Sequence, residues 1–256
     1  MNTLFLASIF AVFHSVAFAL PLPIETKLEG PESVYTTRMI SLAKNWRETS
    51  EDYKKRNTGP FEFKCVTTPG SATYVGVERR MLIKAPIARV KLLLESYSEY
   101  AKLLYGFADV GILRREDNKV VAKFEQIVPI LPNVHYEMSY LETTGLSGRL
   151  LYRYQLREGR TLRFNDGLVV IEPTKDGQTY FTAVGFFDAN WGLLTFSKDR
   201  IWRTSTEGVI ISDLSILTKA ENPTWTFEKA REQAKAMAAT VPLEKIVEQR
   251  SPVTGY

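Results

Sequence analysis

The chain of 256 residues contains one cysteine, Cys65, and two histidines, His14 and His135. A lone cysteine excludes an intramolecular disulfide. A Cys/His zinc site, a Cys-His nucleophile pair and a Ser-His-Asp relay are all short of partners, since only His135 lies beyond the apolar N-terminal run. His135 shares the outward phase of its strand pattern with Glu137 and Ser139, opposite Val134, Tyr136, Met138 and Tyr140, and is read as exposed. No Walker or Rossmann glycine pattern occurs, so ATP and nicotinamide dinucleotides lose their usual handles. Two catalytic-looking strings are decoys. Ser41-Leu42-Ala43-Lys44 lacks the S-D-N and K-T-G partners its motif requires, and Gly145-Leu146-Ser147-Gly148 brings its second glycine one residue early for a nucleophile elbow. No catalytic residue, metal or cofactor is predicted.

Formal charge is missing from the first nineteen side chains, MNTLFLASIFAVFHSVAFA, which close on Ala17-Phe18-Ala19, the small-x-small pattern of a signal peptidase site. An uncleaved anchor competes with this reading, because Leu4 to Leu20 approaches the roughly 20 residues needed to span a bilayer. His14 and Ser15 within the run, with Pro21 and Pro23 just after it, favour cleavage after Ala19. The expectation is a periplasmic or secreted protein whose mature chain is soluble, for no later stretch is long and apolar enough to cross a membrane. Asn-x-Ser/Thr sites are lacking too, Asn222 being followed by Pro223, which suits a bacterial periplasm. The net charge of +4 is spread among alternating acids and bases, and the one dense cluster, YKKRN at 53 to 57, reads as a solvated helix end. No nucleic-acid partner is expected.

What is present is alternation. Residues 31 to 57 carry Val34, Met39, Leu42, Ala43 and Trp46 at helical spacing, and 60 to 72 read as a turn-rich joint. Residues 73 to 85 form a period-two strand with Val75, Val77, Arg79, Met81 and Ile83 on one face. Pro86 then opens a pair of short helices bearing Val90, Leu93, Leu94, Tyr97, Tyr100, Leu103 and Leu104, ended by Gly106. Six more strands follow at 108–115, 119–128, 134–143, 149–158, 161–172 and 178–188, divided by turn-forming residues. Helical spacing of Leu194, Ile201, Trp202, Ser205, Val209, Ser212 and Ile216 predicts a long helix through Lys219, although GVIIS alone also reads as an eighth strand. Two further helices fill 226–240 and the segment after Pro242.

The strand phases collect an aromatic lining: Phe124, Tyr136, Met138, Tyr140, Tyr152, Tyr154 and Phe164, with Leu150, Leu156 and Leu162. Packing alone accounts for any one of these. Four tyrosines on one face are many for a dry core, because each buried phenol needs a hydrogen-bond partner. Arg79 stands on the apolar phase of the first strand and Asp166 on that of the sixth, unless Asp166-Gly167 forms a bulge. Two readings stay open: a structural Arg79–Asp166 ion pair, or an Arg79 that holds a ligand's carboxylate or phosphate.

One strand, two short helices, six antiparallel strands and a long C-terminal helix is the order of the helix-grip fold. On the junction IKAPIARVKLLLESYSEYAKLL, the hairpin VPILPNVHYEMSYLET and the segment from 178 to about 221, the chain resembles the START-like or SRPBCC superfamily over residues 73–221. The resemblance implies an α+β fold in which a curved seven-stranded sheet wraps the last helix and encloses a cavity. Expected divisions are a signal peptide (1–19), an N-terminal helical extension (20–72), the helix-grip domain (73–221) and a C-terminal helical extension (222–256). The expected function is a carrier of a hydrophobic or amphipathic small molecule such as a lipid, fatty acid, isoprenoid or polyketide. Its binding residues would be Arg79, Phe124, Tyr136, Met138, Tyr140, Tyr152, Tyr154, Phe164, Asp166 and Trp202. A cyclase or dehydratase using a cavity tyrosine or carboxylate is the first alternative. A protein-protein interaction module with a filled core is the second, and a transient membrane or protein partner is compatible with the carrier.

Overall fold

The computed structural model describes residues 48–56, 59–68, 71–127, 133–144, 148–159, 162–189, 198–249 and 251–252. The proposed signal segment, most of the helix read at 31 to 57 and, Gly148 apart, both catalytic decoys lie outside them. Of that helix, the turns of α1 (Ser50–Arg56) are described. Then come β1 (Phe61–Thr68) and β2 (Ser71–Ile83). Pro86 is the N-cap of α2 (Ile87–Glu95), its fixed φ of −66° suiting the entry to a helix. A 3-10 turn (Tyr97–Glu99) leads into α3 (Tyr100–Leu103), and Gly106, at φ 83°, makes the left-handed exit. The meander runs through β3 (Phe107–Glu116), β4 (Lys119–Gln126), β5 (Val134–Thr144), β6 (Leu150–Gly159), β7 (Leu162–Pro173) and β8 (Thr179–Ala189). The chain closes with α4 (Lys198–Glu221), α5 (Phe227–Ala238), α6 (Leu243–Glu248) and the two-residue β9 (Ser251–Pro252). GVIIS therefore belongs to the long helix.

All strands join one sheet in the order β3-β4-β5-β6-β7-β8-β2-β1-β9. Nine strands are found among the described residues, where seven were expected. The first of the two additions, β1, falls inside the segment read as a joint within an N-terminal helical extension. Its Phe63, Cys65 and Val66 are buried, and Phe61 to Thr67 pair with Met81 to Val75 of β2. Proline and glycine at both flanks gave that segment the look of a loop, whereas FEFKCV alternates as a strand does. The second addition, β9, extends the sheet beside β1 at Val66 and Thr67, so the C-terminal helices are also tied into the domain.

Helices α2, α3 and α4 cover one face of the sheet, here the inner face. Around β2, β7 and β8, the residues Met81, Ile83, Ile171 and Phe181 pack against Ile210, Leu214 and Leu217 of α4. Around β4 and β5, the residues Ala122, Phe124, Tyr136 and Met138 pack with Tyr97 and Tyr100. On the outer face, Glu48 accepts hydrogen bonds from Arg80 Nε, from Arg56 Nε at 3.1 Å and Nη2 at 2.8 Å, and from Tyr180 Oη at 2.9 Å. Burial works to raise the Glu48 pKa, but Arg80 and these hydrogen bonds prevail and hold it below the usual carboxylate value. Arg56 also binds Glu62 at 2.8 Å, so the basic cluster read as a solvated helix end clamps α1 to the sheet.

Candidate functional site

Strand pairing decides which predicted residues meet. Tyr136, Met138 and Tyr140 pair with Phe124, Ala122 and Val120 of β4, and Met138 and Tyr140 pair on the other side with Leu156 and Tyr154 of β6. Tyr152 and Tyr154 pair with Val169 and Gly167 of β7. Phe124, Tyr136, Met138, Tyr140, Tyr152 and Tyr154 thus share the inner face, as alternation requires. Their rings touch in a chain: Phe124–Tyr136 centroids lie 5.4 Å apart, Phe124–Tyr140 6.1 Å and Tyr140–Tyr154 6.1 Å. Tyr97 joins from the 3-10 turn, 4.9 Å from Tyr140.

Two predicted members sit elsewhere. The β7–β8 register shifts between Leu162 and Phe164, a bulge that leaves Leu162 in the inner cluster and sends Phe164 and Asp166 to the outer face. There Asp166 meets Arg153, not Arg79, at 3.2 Å. Burial raises the Asp166 pKa and Arg153 lowers it, with burial prevailing. The bulge lies earlier than Asp166-Gly167, and this displacement undoes the expected Arg79–Asp166 pair. Trp202 belongs to α4, but its side chain is outside the described residues. His135 is exposed.

Arg79 does point inward. Only 7% exposed, it faces Asp213 of α4, itself 5% exposed, with Nε 3.4 Å from Oδ2. Its Nη2 donates to Tyr154 Oη at 3.4 Å. Neither Arg79 Nε nor Asp213 Oδ2 has a hydrogen-bond partner, an uncommon condition for buried polar atoms. Burial pushes the Asp213 carboxyl up to about 6, the nearby Arg79 charge offsetting part of the effect. Burial also raises the hydroxyls of Tyr140 and Tyr154, although both residues keep accessible surface on the inner face. Asp213 escaped the sequence reading. Its signal was a carboxylate on an apolar helical stripe with Ile210, Leu214 and Leu217.

A second polar cluster joins α2 to the sheet. Tyr152 Oη donates to Glu95 at 3.1 Å, while Lys91 binds Glu95 at 2.6 Å and also Glu142 of β5. These groups satisfy one another. A separate pocket of about 200 Å³ opens between α4, α5 and α6, lined by Glu207, Ile210, Ala238, Ala239, Val241 and Leu243. None of the tyrosines lines it.

No family model and no curated protein sequence matches the chain. Solved structures share its fold. Human STARD10 superposes with a TM-score of 0.57 at 11% identity, covering 86% of this chain and 92% of that one. A STAR-related lipid transfer protein from Xanthomonas axonopodis reaches 0.44 at 16% identity, over 70% of this chain and 96% of its own. The Zhui aromatase/cyclase from a Streptomyces reaches 0.39 at 15% identity, over 68% and 92%. The chain has the START-like helix-grip fold.

Proposed function

We propose that this protein is a periplasmic or secreted carrier that encloses a hydrophobic or amphipathic small molecule between the inner face of its sheet and α4. One observation carries the reading: Arg79 Nε and Asp213 Oδ2 form a buried ion pair beside an aromatic wall, and at 3.4 Å neither atom makes a well-formed hydrogen bond. A donor and an acceptor side by side match a single hydroxyl, whose oxygen accepts from Nε–H while its hydrogen goes to the carboxylate. Because Asp213 already opposes the Arg79 charge, a neutral alcohol end suits the site better than the carboxylate or phosphate that an isolated arginine would hold. Among lipids, fatty acids, isoprenoids and polyketides, the members ending in a hydroxyl are favoured. The apolar remainder would contribute roughly 25 cal/mol per Å² buried, before the costs of association.

Native mass spectrometry of protein purified from its own host, followed by extraction, tests this directly. The expected result is a bound apolar molecule, or uptake of one from a panel of long-chain alcohols, fatty acids and isoprenoids. Protein that is empty and takes up none of them overturns the reading.

Asp213 also favours a second reading. A carboxyl with a pKa near 6, beside Arg79 and Tyr154, suits proton abstraction next to a carbonyl in a cyclase or dehydratase. Cyclised or dehydrated product from a β-keto thioester, with a pH profile lost in Asp213→Asn, is what that reading requires.

A further inference from the structure

β7 and β8 each set a glycine on the inner face at the same level, Gly167 opposite Gly185, with Val77 of β2 next in line. Glycine in a strand interior weakens the strand and often marks a place where another group approaches closely. Here that group is Tyr154. A Cβ at Gly167 would lie 2.0 Å from Tyr154 Cζ, and one at Gly185 would lie 2.0 Å from Tyr154 Oη and 3.5 Å from Arg79 Nη2. The phenol therefore starts on β6, crosses the trench left by the two missing side chains, and ends at Arg79 on β2.

We infer that Tyr154, seated in the Gly167–Gly185 trench, is a positioning residue that keeps the Arg79–Asp213 pair open for a ligand hydroxyl. This rests on the carrier reading above. An arginine and a carboxylate free to choose their geometry form two parallel hydrogen bonds. Arg79 does not: its Nη2 goes to Tyr154 and only its Nε reaches Asp213, in a single ion-pair contact of 3.4 Å. Without the phenol, the guanidinium turns to grip Asp213 with both prongs, and the slot closes. Either glycine, once it carries a methyl group, lifts the phenol out of the trench to the same effect. The tyrosine tip is the flexible partner in that clash, so the strands keep their pairing.

The test compares binding of 1-dodecanol with that of dodecyl methyl ether, which has the same chain and no hydroxyl hydrogen, by displacement of a fluorescent apolar dye. Intact protein is expected to prefer the alcohol about five- to tenfold, the worth of one buried hydrogen bond. Tyr154→Phe and Gly185→Ala should each bring the preference to about twofold or less while both probes still bind, and the double variant should lose no more than either single one. An unchanged preference in Tyr154→Phe overturns the inference, as do single losses that multiply in the double variant. Intact protein that binds both probes equally overturns the inference and leaves the carrier reading standing. Binding of neither probe overturns the inference, and it removes the carrier reading as well only when no fatty acid or isoprenoid is taken up either. Should Gly185→Ala not fold, Gly167→Ala takes its place in the cycle.

Discussion

A buried carboxylate costs more to ionise inside the fold than in the unfolded chain, and Asp213 is the inner face's clearest instance. Its carboxyl rises to about 6, with burial the main cause, against about 3.9 when unfolded. Between those values the folded protein holds a proton that the unfolded chain has released, so stability falls as pH rises from about 4 to 6 and this contribution then levels off. Two pKa units correspond to about 3 kcal/mol. Urea denaturation at intervals from pH 4 to 7.5 should show the decline in the native protein and a shallower one in Asp213→Asn; equal slopes would contradict the assignment. Arg79 was legible in the sequence, because a charge on the apolar phase of a strand stands out. Its partner was not, for Asp213 comes from an element whose placement against β2 depends on the whole tertiary fold. Asp166 was misplaced for a local reason: one extra residue between Leu162 and Phe164 reverses the faces that follow.

At the scale of elements, the regular alternation of β4, β5 and β6 made most of the aromatic wall readable, since a half-buried strand announces which side chains turn inward. Bulges and short edge pieces announce much less. β9 has two residues and no periodicity at all, yet it ties the C-terminal helices to the β1 edge at Val66 and Thr67. Next to that edge Cys65, 1% exposed, packs with Val247, Leu243 and Ile246 of α6, and its sulfur lies 3.9 Å from Thr206 Oγ1 of α4. The thiol should therefore react slowly with an aromatic disulfide reagent in the intact protein. Deleting residues 243–256 should make that reaction fast while the meander keeps its circular dichroism. A thiol equally slow in the truncated protein would mean that α6 is not its cover. Conversely, a fast thiol in the intact chain would place the lid elsewhere.

For the whole molecule, the order of strands and helices foretold the grip because a lone antiparallel sheet must cover one apolar face, and few helices were available to do so. The order does not say how far the interior is filled. Toward β2 and β8 it is packed, Leu214 and Leu217 of α4 meeting Met81 and Phe181. Toward β5 and β6, Tyr140 and Tyr154 retain accessible surface. A guest bound there touches the sheet and α4 together, and both contacts vanish on unfolding, so binding must appear as stability. At a free ligand concentration 100 times Kd the gain is about 2.7 kcal/mol. For a domain of this size each kcal/mol raises Tm by about 2 to 4 °C, so the melting point should climb by roughly 5 to 10 °C. Arg79→Ala should keep the part of this shift that comes from the apolar chain and lose the part that distinguishes an alcohol from its ether. A saturating alcohol that leaves Tm unmoved, at concentrations where the dye is displaced, would place binding on the surface, in a state that unfolding does not release.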